Sequence, residues 1–311
     1  MMKPSRARNL LAASAALLLG SHAPPARADI LYWSNYRISE VEQAGLSGIS
    51  PFVSPSAPTG IAFDSAHFFY AASALNTITK YAPNGVGFPF VSGLGTGLSS
   101  PYGLAFDAAG NLFVANAGNN TIQMFTPGGV GSVFASTGLN SPRGLAFDRN
   151  GNLYAANFGN STIEKFAPDG TPSLFASTGL SAPYGLAFDA VGNLYAANNT
   201  GATIERFTPG GSPSLFATDP QGAPSALTGI AFDSTGNLYA GNLGQTTVDV
   251  FTPGGAGSVF TGARVDQPQF LAFTDNAGVP LPLANQAPEP ASLGLLGLGA
   301  CLLAARRRRK A

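Results

Sequence analysis

Cysteine is almost missing from this 311-residue chain. Cys301 stands alone, so no disulfide can form within it. Histidine is nearly as scarce: His22 and His67 are the only two, which removes most of the material for imidazole catalysis or a structural zinc site. Charged residues make up only 10% of the chain, too few for a disordered polyelectrolyte or a salt-bridged coiled coil. The central region also lacks a sustained helical period, and without helices there can be no βαβ units. What is plentiful is glycine (39), proline (24) and apolar residues (45%), the composition of a core-forming chain with many turns.

The formal charge of zero hides a division. Nine of the sixteen basic residues lie at the two ends, whereas all sixteen acids fall between Asp29 and Glu289. Seven basic and sixteen acidic residues leave the middle at 7 − 16 = −9, which argues against nucleic acid as a partner.

The ends read as addresses. Lys3, Arg6 and Arg8 precede an apolar stretch, Leu10 to Gly20, and Ala26-Arg27-Ala28 offers small residues, Ala26 and Ala28, where a signal peptidase reads. Residues 1–28 are therefore expected to be a secretory signal peptide. At the other end Pro288-Glu289-Pro290 is followed by fifteen apolar or small residues and then Arg306, Arg307, Arg308, Arg309 and Lys310. Fifteen residues fall short of the roughly 20 needed for a membrane helix, and the basic cluster would stay cytoplasmic. This tail, 288–311, resembles the PEP-CTERM sorting signal of Gram-negative bacteria. That resemblance implies an exosortase-type sorting enzyme as partner, a hydrophobic helix held at least transiently in the membrane, and a destination at the cell envelope or outside the cell. A permanent single-span anchor is the alternative; the short span favours processing.

Between the ends one sentence is written five times. P-x-G-[LI]-A-F-D-x-x-G-N-L-[YF]-x-A-N recurs around Gly60, Gly103, Gly144, Gly185 and Gly229, at spacings of 43, 41, 41 and 44. Such a period means stacked supersecondary units. Within the copy from Pro142, "GLAF" and "LYAAN" read as strands joined by the turn "DRNGN", and "TIEKF" and "SLFAS" as two more. Four short strands per unit make a propeller blade. After the fifth copy, "QPQFLAFTD" supplies one first strand; at the start, residues 29–54 supply the other three. The expectation is an all-β, six-bladed β-propeller over 29–274, closed by strands from both termini and followed by a Pro-rich linker, 275–287. The units resemble NHL repeats. They depart from that pattern where Asn116, Asn157, Asn198 and Asn242 replace an Asp and where the third strand lacks an Arg, so the RNA or acidic-peptide binding of some NHL proteins does not carry over.

Two positions per blade converge on one mouth of such a ring. Those before the glycine are Thr59, Tyr102, Arg143, Tyr184, Thr228 and Gln269; those ending the second strand are Asn35, Ser73, Asn116, Asn157, Asn198 and Asn242. The fold resembles that of gluconolactonase-type lactonases, which implies a divalent cation at this mouth. The pre-glycine positions, however, hold no carboxylate, the ligand that a hard cation prefers. Virginiamycin-lyase-like propellers imply a histidine base, but His22 leaves with the signal and His67 falls in a turn on the opposite face. Asp64, Asp107, Asp148, Asp189 and Asp233 read as turn residues, one per blade. The glycines of "GLGTGLSS", 93–100, have no helix after them to hold a phosphate. No catalytic residue, metal or other cofactor is assigned. Tyr102, Arg143, Tyr184, Asn116, Asn157, Asn198 and Asn242 are the candidate binding residues, with a glycan or protein as ligand. The asparagines have a structural alternative, bonding the turn that follows each of them. The function expected is an exported, non-enzymatic binding or scaffold module, the alternative a degenerate lactonase- or lyase-like hydrolase.

Overall fold

The computed structural model describes residues 29–45, 48–93, 95–222 and 225–274. The expected signal peptide with its cleavage at Ala26/Ala28, the expected linker and the tail with its expected hydrophobic helix fall outside the described residues. All regular structure among the described residues is β, and no helix there is long and apolar enough to cross a membrane.

Strands β1 (Ile30–Asn35), β2 (Glu40–Gly45) and β3 (Gly48–Val53) come first. Five four-stranded blades follow. Blade 1 is β4 (Pro58–Phe63), β5 (Phe69–Ser73), β6 (Thr77–Tyr81) and β7 (Gly87–Val91), and blade 2 is β8 (Pro101–Phe106), β9 (Leu112–Asn116), β10 (Thr121–Phe125) and β11 (Gly131–Ala135). Blade 3 is β12 (Pro142–Phe147), β13 (Leu153–Asn157), β14 (Thr162–Phe166) and β15 (Pro172–Ala176). Blade 4 is β16 (Pro183–Phe188), β17 (Leu194–Asn198), β18 (Thr203–Phe207) and β19 (Pro213–Thr218), and blade 5 is β20 (Leu227–Phe232), β21 (Leu238–Asn242), β22 (Thr247–Phe251) and β23 (Gly257–Thr261). The last strand, β24 (Pro268–Thr274), pairs antiparallel with β1, so the sixth sheet runs β24-β1-β2-β3. Six sheets of four strands make an all-β, six-bladed propeller.

The repeat builds blades for local reasons. Each motif aspartate closes the first hairpin turn: Asp148 Oδ1 accepts the backbone N–H groups of Asn150 and Asn152, both at 2.9 Å, and Oδ2 accepts the Asn152 amide at 2.7 Å. Gly151 takes φ +78° in that turn, a conformation that costs L-residues energy. The aspartates are thus turn residues, as the sequence indicates. His67 occupies the equivalent position of blade 1, also left-handed at φ 68°, which makes it a turn residue on the face away from the mouth.

The cores lie between blades. A tyrosine or phenylalanine from the second strand meets the fourth-strand phenylalanine of its own blade and the inner-strand phenylalanine of the next. Tyr154 stands edge-on to Phe175 and Phe188 at 5.0 and 5.1 Å, and Phe113 to Phe134 and Phe147 at 4.9 and 5.0 Å. The same triplet joins blade 5 to the sixth sheet (Tyr239, Phe260, Phe273) and the sixth sheet to blade 1 (Tyr32, Phe52, Phe63). Small residues such as Ala115, Ala155 and Ala196, all fully buried, fill the narrow space nearer the axis. There the inner strands nearly touch. A Cβ on Gly185 would sit 2.5 Å from the Thr228 carbonyl oxygen, 2.7 Å from Ile230 N and 2.8 Å from Gly229 Cα. Only glycine permits that approach.

The sixth sheet carries its own ties. Ser34 Oγ donates to the Thr59 carbonyl at 2.8 Å and accepts the Phe270 N–H at 3.1 Å. Arg264 reaches Glu42 at 2.8 Å and Glu40 at 3.0 Å. Glu42 is fully buried, and burial, foremost, holds its carboxyl above the usual range despite the arginine.

Candidate functional site: the mouth of the ring

Pairing of Pro101 with Asn116, and the same pairing in the other blades, puts the start of each inner strand beside the end of its second strand. The two residue sets named from the sequence therefore do share one end of the wheel. Their environments differ sharply.

The asparagines are turned inward. Asn157 is fully buried; its amide donates to the Gly138 carbonyl (2.8 Å) and Thr162 Oγ1 (3.0 Å), and its oxygen accepts the Asn140 N–H (3.0 Å). Asn116 makes the equivalent bonds to Gly97, Thr121 and Ser99, and Asn198 to Gly179, Thr203 and Ser181. Each clasps the loop that enters its blade. For these three the backbone partner is not the following turn but a loop 17–19 residues earlier in the chain; Asn242 does bond its following turn, its oxygen accepting the Gln245 N–H at 3.3 Å. Asn242 departs from the pattern. Its amide bridges Asp219 at 2.7 Å and Asp249 at 2.9 Å, in a network that Gln221 and Thr247 complete. Burial, above all, holds the Asp249 carboxyl above its usual range. Thr59 and Thr228 are likewise occupied, donating to the carbonyls of Pro101 (2.7 Å) and Pro268 (2.8 Å).

Tyr102, Arg143 and Tyr184 form a different kind of group. The Arg143 guanidinium carbon lies 4.5 Å from the centre of the Tyr102 ring, 4.7 Å from that of Tyr184 and 3.8 Å from that of Phe158. This is a cation held in an aromatic cage. Its Nε is buried without a hydrogen-bond partner. Tyr102 and Tyr184 meet edge-to-face at 6.0 Å although they come from blades 2 and 4, so the contact reaches past blade 3. Tyr184 is 1% exposed and donates its hydroxyl to Gln269 Oε1 from the sixth sheet, while its ring leans on Phe270 at 5.5 Å. Burial raises its hydroxyl pKa, an effect the Arg143 charge partly offsets. The near end of the axis is thus stoppered by side chains, with the half-buried Tyr102 and Arg143 at the surface of the stopper.

Two members of this group escape a reading by motif. Phe158 occupies a turn position that varies around the ring, being Tyr36, Ala74, Ala117, Asn199 and Leu243 elsewhere, and Phe270 stands where the five copies have glycine. Only at Phe270 is a departure from the repeat the signal. With no glycine at 270, the inner strand of the sixth sheet contributes a ring to the axis where its counterparts contribute only backbone.

Comparison with known proteins agrees with this architecture. Residues 139–166 match the NHL repeat, and residues 286–310 match the PEP-CTERM protein-sorting motif. No curated protein matches. The fold is shared with a propeller of the nidogen/laminin complex, at TM-score 0.70 and 20% identity over 79% of this chain and 98% of that one. It is shared also with virginiamycin B lyase from Staphylococcus aureus (0.62, 16%, 80% and 89%) and with a gluconolactonase from Xanthomonas campestris (0.57, 21%, 70% and 82%). At such identities the likeness is one of fold. The chain is therefore a six-bladed propeller with an NHL repeat. More particularly, it is one that ends in a PEP-CTERM motif, the mark of a protein exported and sorted to the envelope.

Proposed function

We propose that this protein is an exported, non-enzymatic binding or scaffold module of the envelope or extracellular space of a Gram-negative bacterium. Residues 1–28 direct export, an exosortase-type enzyme acts on the tail at 288–311, and the propeller, 29–274, presents the mouth built around Tyr102, Arg143 and Tyr184. The observation that carries the reading is the stopper. Tyr184, Gln269 and Phe270 fill the axis behind Arg143, so the mouth is a face to be bound and not a channel leading a substrate to a buried base. The asparagines enter as the clasps that hold that face rigid, which leaves Tyr102 and Arg143 to meet a ligand. A nidogen propeller seen with laminin gives a precedent in this fold for binding.

The alternative, a lactonase- or lyase-like hydrolase, draws on the fold shared with virginiamycin B lyase and gluconolactonase. It needs a base or a cation site. Among the described residues no three His, Cys, Asp or Glu side chains group to hold a metal, and His67 lies in a turn at the far face.

The test has two parts. Mass spectrometry of the mature chain from envelope and medium is expected to show an N-terminus at Asp29 and a C-terminus shortened near Pro288–Pro290; an intact chain confined to the cytoplasm contradicts export and sorting. Incubation of the full chain with gluconolactone and with a streptogramin B antibiotic is expected to give no turnover, and catalysis abolished by a mouth substitution would overturn the non-enzymatic reading.

A further inference from the structure

The charges on this wheel are distributed unevenly. The described hairpin turns and blade-to-blade loops at the mouth end of blades 1 to 4 are residues 74–76, 92–93, 95–100, 117–120, 136–141, 158–161, 177–182 and 199–202. They contain no Asp, Glu, Lys or Arg; they are glycine, serine, threonine, asparagine, alanine, leucine and one phenylalanine. The turns at the opposite end carry Asp64, Asp107, Asp148, Asp169 and Asp189. Glu164 and Glu205 lie against Gly138 and Gly179, beneath two of these loops, and burial keeps their carboxyls above the usual range. Arg143 therefore stands beside an uncharged face made by blades 1 to 4, while the mouth-end turns and loops of the rest of the ring carry Arg37, Asp219, Arg264 and Asp266.

No carboxylate pairs with it. Arg264, by contrast, bonds two glutamates, and Lys80 bonds Asp64 at 3.4 Å. The Arg143 guanidinium is fixed by three rings, and its buried Nε has no acceptor. A planar cation flanked by rings, fixed in orientation and paired with no carboxylate is organised for one, which it can grip through two parallel N–H bonds from its terminal nitrogens. Little rotamer entropy is left to lose when the anion arrives.

We propose that the mouth binds a glycan bearing a uronic-acid carboxylate, with the carboxylate on Arg143, the sugar ring against Tyr102 and the neighbouring hydroxyls on the uncharged rim. This deepens the binding-module reading and rests on it. A sugar is favoured over an acidic peptide because the rim of blades 1 to 4 offers hydroxyls, amides and a half-exposed aromatic ring, with Arg143 its one cation. The net charge of −9 over the middle of the chain also repels a densely anionic partner.

The experiment is isothermal titration of the full chain with hyaluronan tetrasaccharide and trigalacturonate, with their carboxyl-reduced neutral counterparts, and with a capped triglutamate peptide. At least one uronate oligosaccharide is expected to bind, and to bind tenfold or more tightly than its reduced counterpart. Arg143→Gln should lose that margin. Arg143→Lys keeps the charge and the stem within the cage, and should retain the native melting temperature while losing the two-pronged grip, weakening binding by about tenfold. Equal binding of acidic and reduced sugars would overturn the carboxylate assignment and leave the binding module standing. Preference for the peptide would overturn the glycan class. Uronate affinity that survives in both Arg143 variants would place the site elsewhere, and failure of every uronate to bind would overturn the proposal outright.

Discussion

The inner strands of a closed wheel have nowhere to retreat, and Gly185→Ala makes that measurable. The added methyl would meet three backbone atoms of blade 5 at 2.5, 2.7 and 2.8 Å, about 1 Å inside ordinary carbon contact. None of the three belongs to a side chain that can rotate away. Gly185 has no positive φ, so the substitution adds steric crowding and no conformational penalty. Overpacking a close-packed interior costs about 1–3 kcal/mol, and collision with backbone belongs at the upper end, near 3 kcal/mol. For a domain of this size that lowers Tm by roughly 6–12 °C. The control is Gly254→Ala, in an exposed turn where the nearest atom, Thr252 Oγ1, is 3.9 Å away; it is expected to be neutral or to stabilise by about 0.4–1 kcal/mol through the unfolded chain. Thermal melting followed by circular dichroism reads both. If Gly185→Ala melts with the wild type, the inner strands do not abut as described and the reasoning fails.

Further outcomes follow from single contacts. His67→Gly should raise Tm slightly, on the order of 0.5 kcal/mol, because glycine relieves the left-handed backbone at that turn; ligand binding should not change. Arg264→Ala strips the fully buried Glu42 of its cationic partner, so Tm should fall, and adding Glu42→Gln should recover part of the loss. Burial holds the carboxyls of Glu164, Glu205 and Asp249 above their ordinary values. Between the unfolded and folded pKa values the native state then binds more protons, so stability rises as pH falls from neutral through the raised values towards the ordinary carboxylate range. Glu164→Gln with Glu205→Gln should flatten that rise in a series of melts. Calcium at millimolar concentration should leave Tm unchanged, since among the described residues no three His, Cys, Asp or Glu side chains group to hold a metal.

The fold could be read from the sequence because its determinants are local and repeated. Asp148 and Gly151 specify a turn through bonds spanning four residues, and the alternation in "GLAF" and "LYAAN" assigns faces without reference to the rest of the chain. The count of blades came from five copies of the repeat and from the complementary partial copies at 29–54 and after Gln267. The mouth was half legible. Strand direction was enough to bring Tyr102, Arg143 and Tyr184 to one end, but not to say that Tyr184 is buried while Tyr102 is half-exposed, which depends on Gln269 and Phe270 from the far end of the chain. The asparagines were harder still. An amide at a strand end suits a ligand, its own turn or a passing loop equally well, and the loop at Gly138 that claims Asn157 is fixed only once the blades pack. Phe158 went unnoticed for a related reason: its turn position differs from copy to copy, so the repeat sets no expectation there.

Ring closure is the claim on which the mouth depends, and a cysteine pair across the last seam tests it most directly. Ile30 on β1 faces Thr274 on β24 in the paired register. In the full chain with Cys301→Ser, Ile30→Cys with Thr274→Cys should form an internal disulfide under mild oxidation and raise Tm. Monomers that keep both thiols free under those conditions would mean that the first and last strands do not meet.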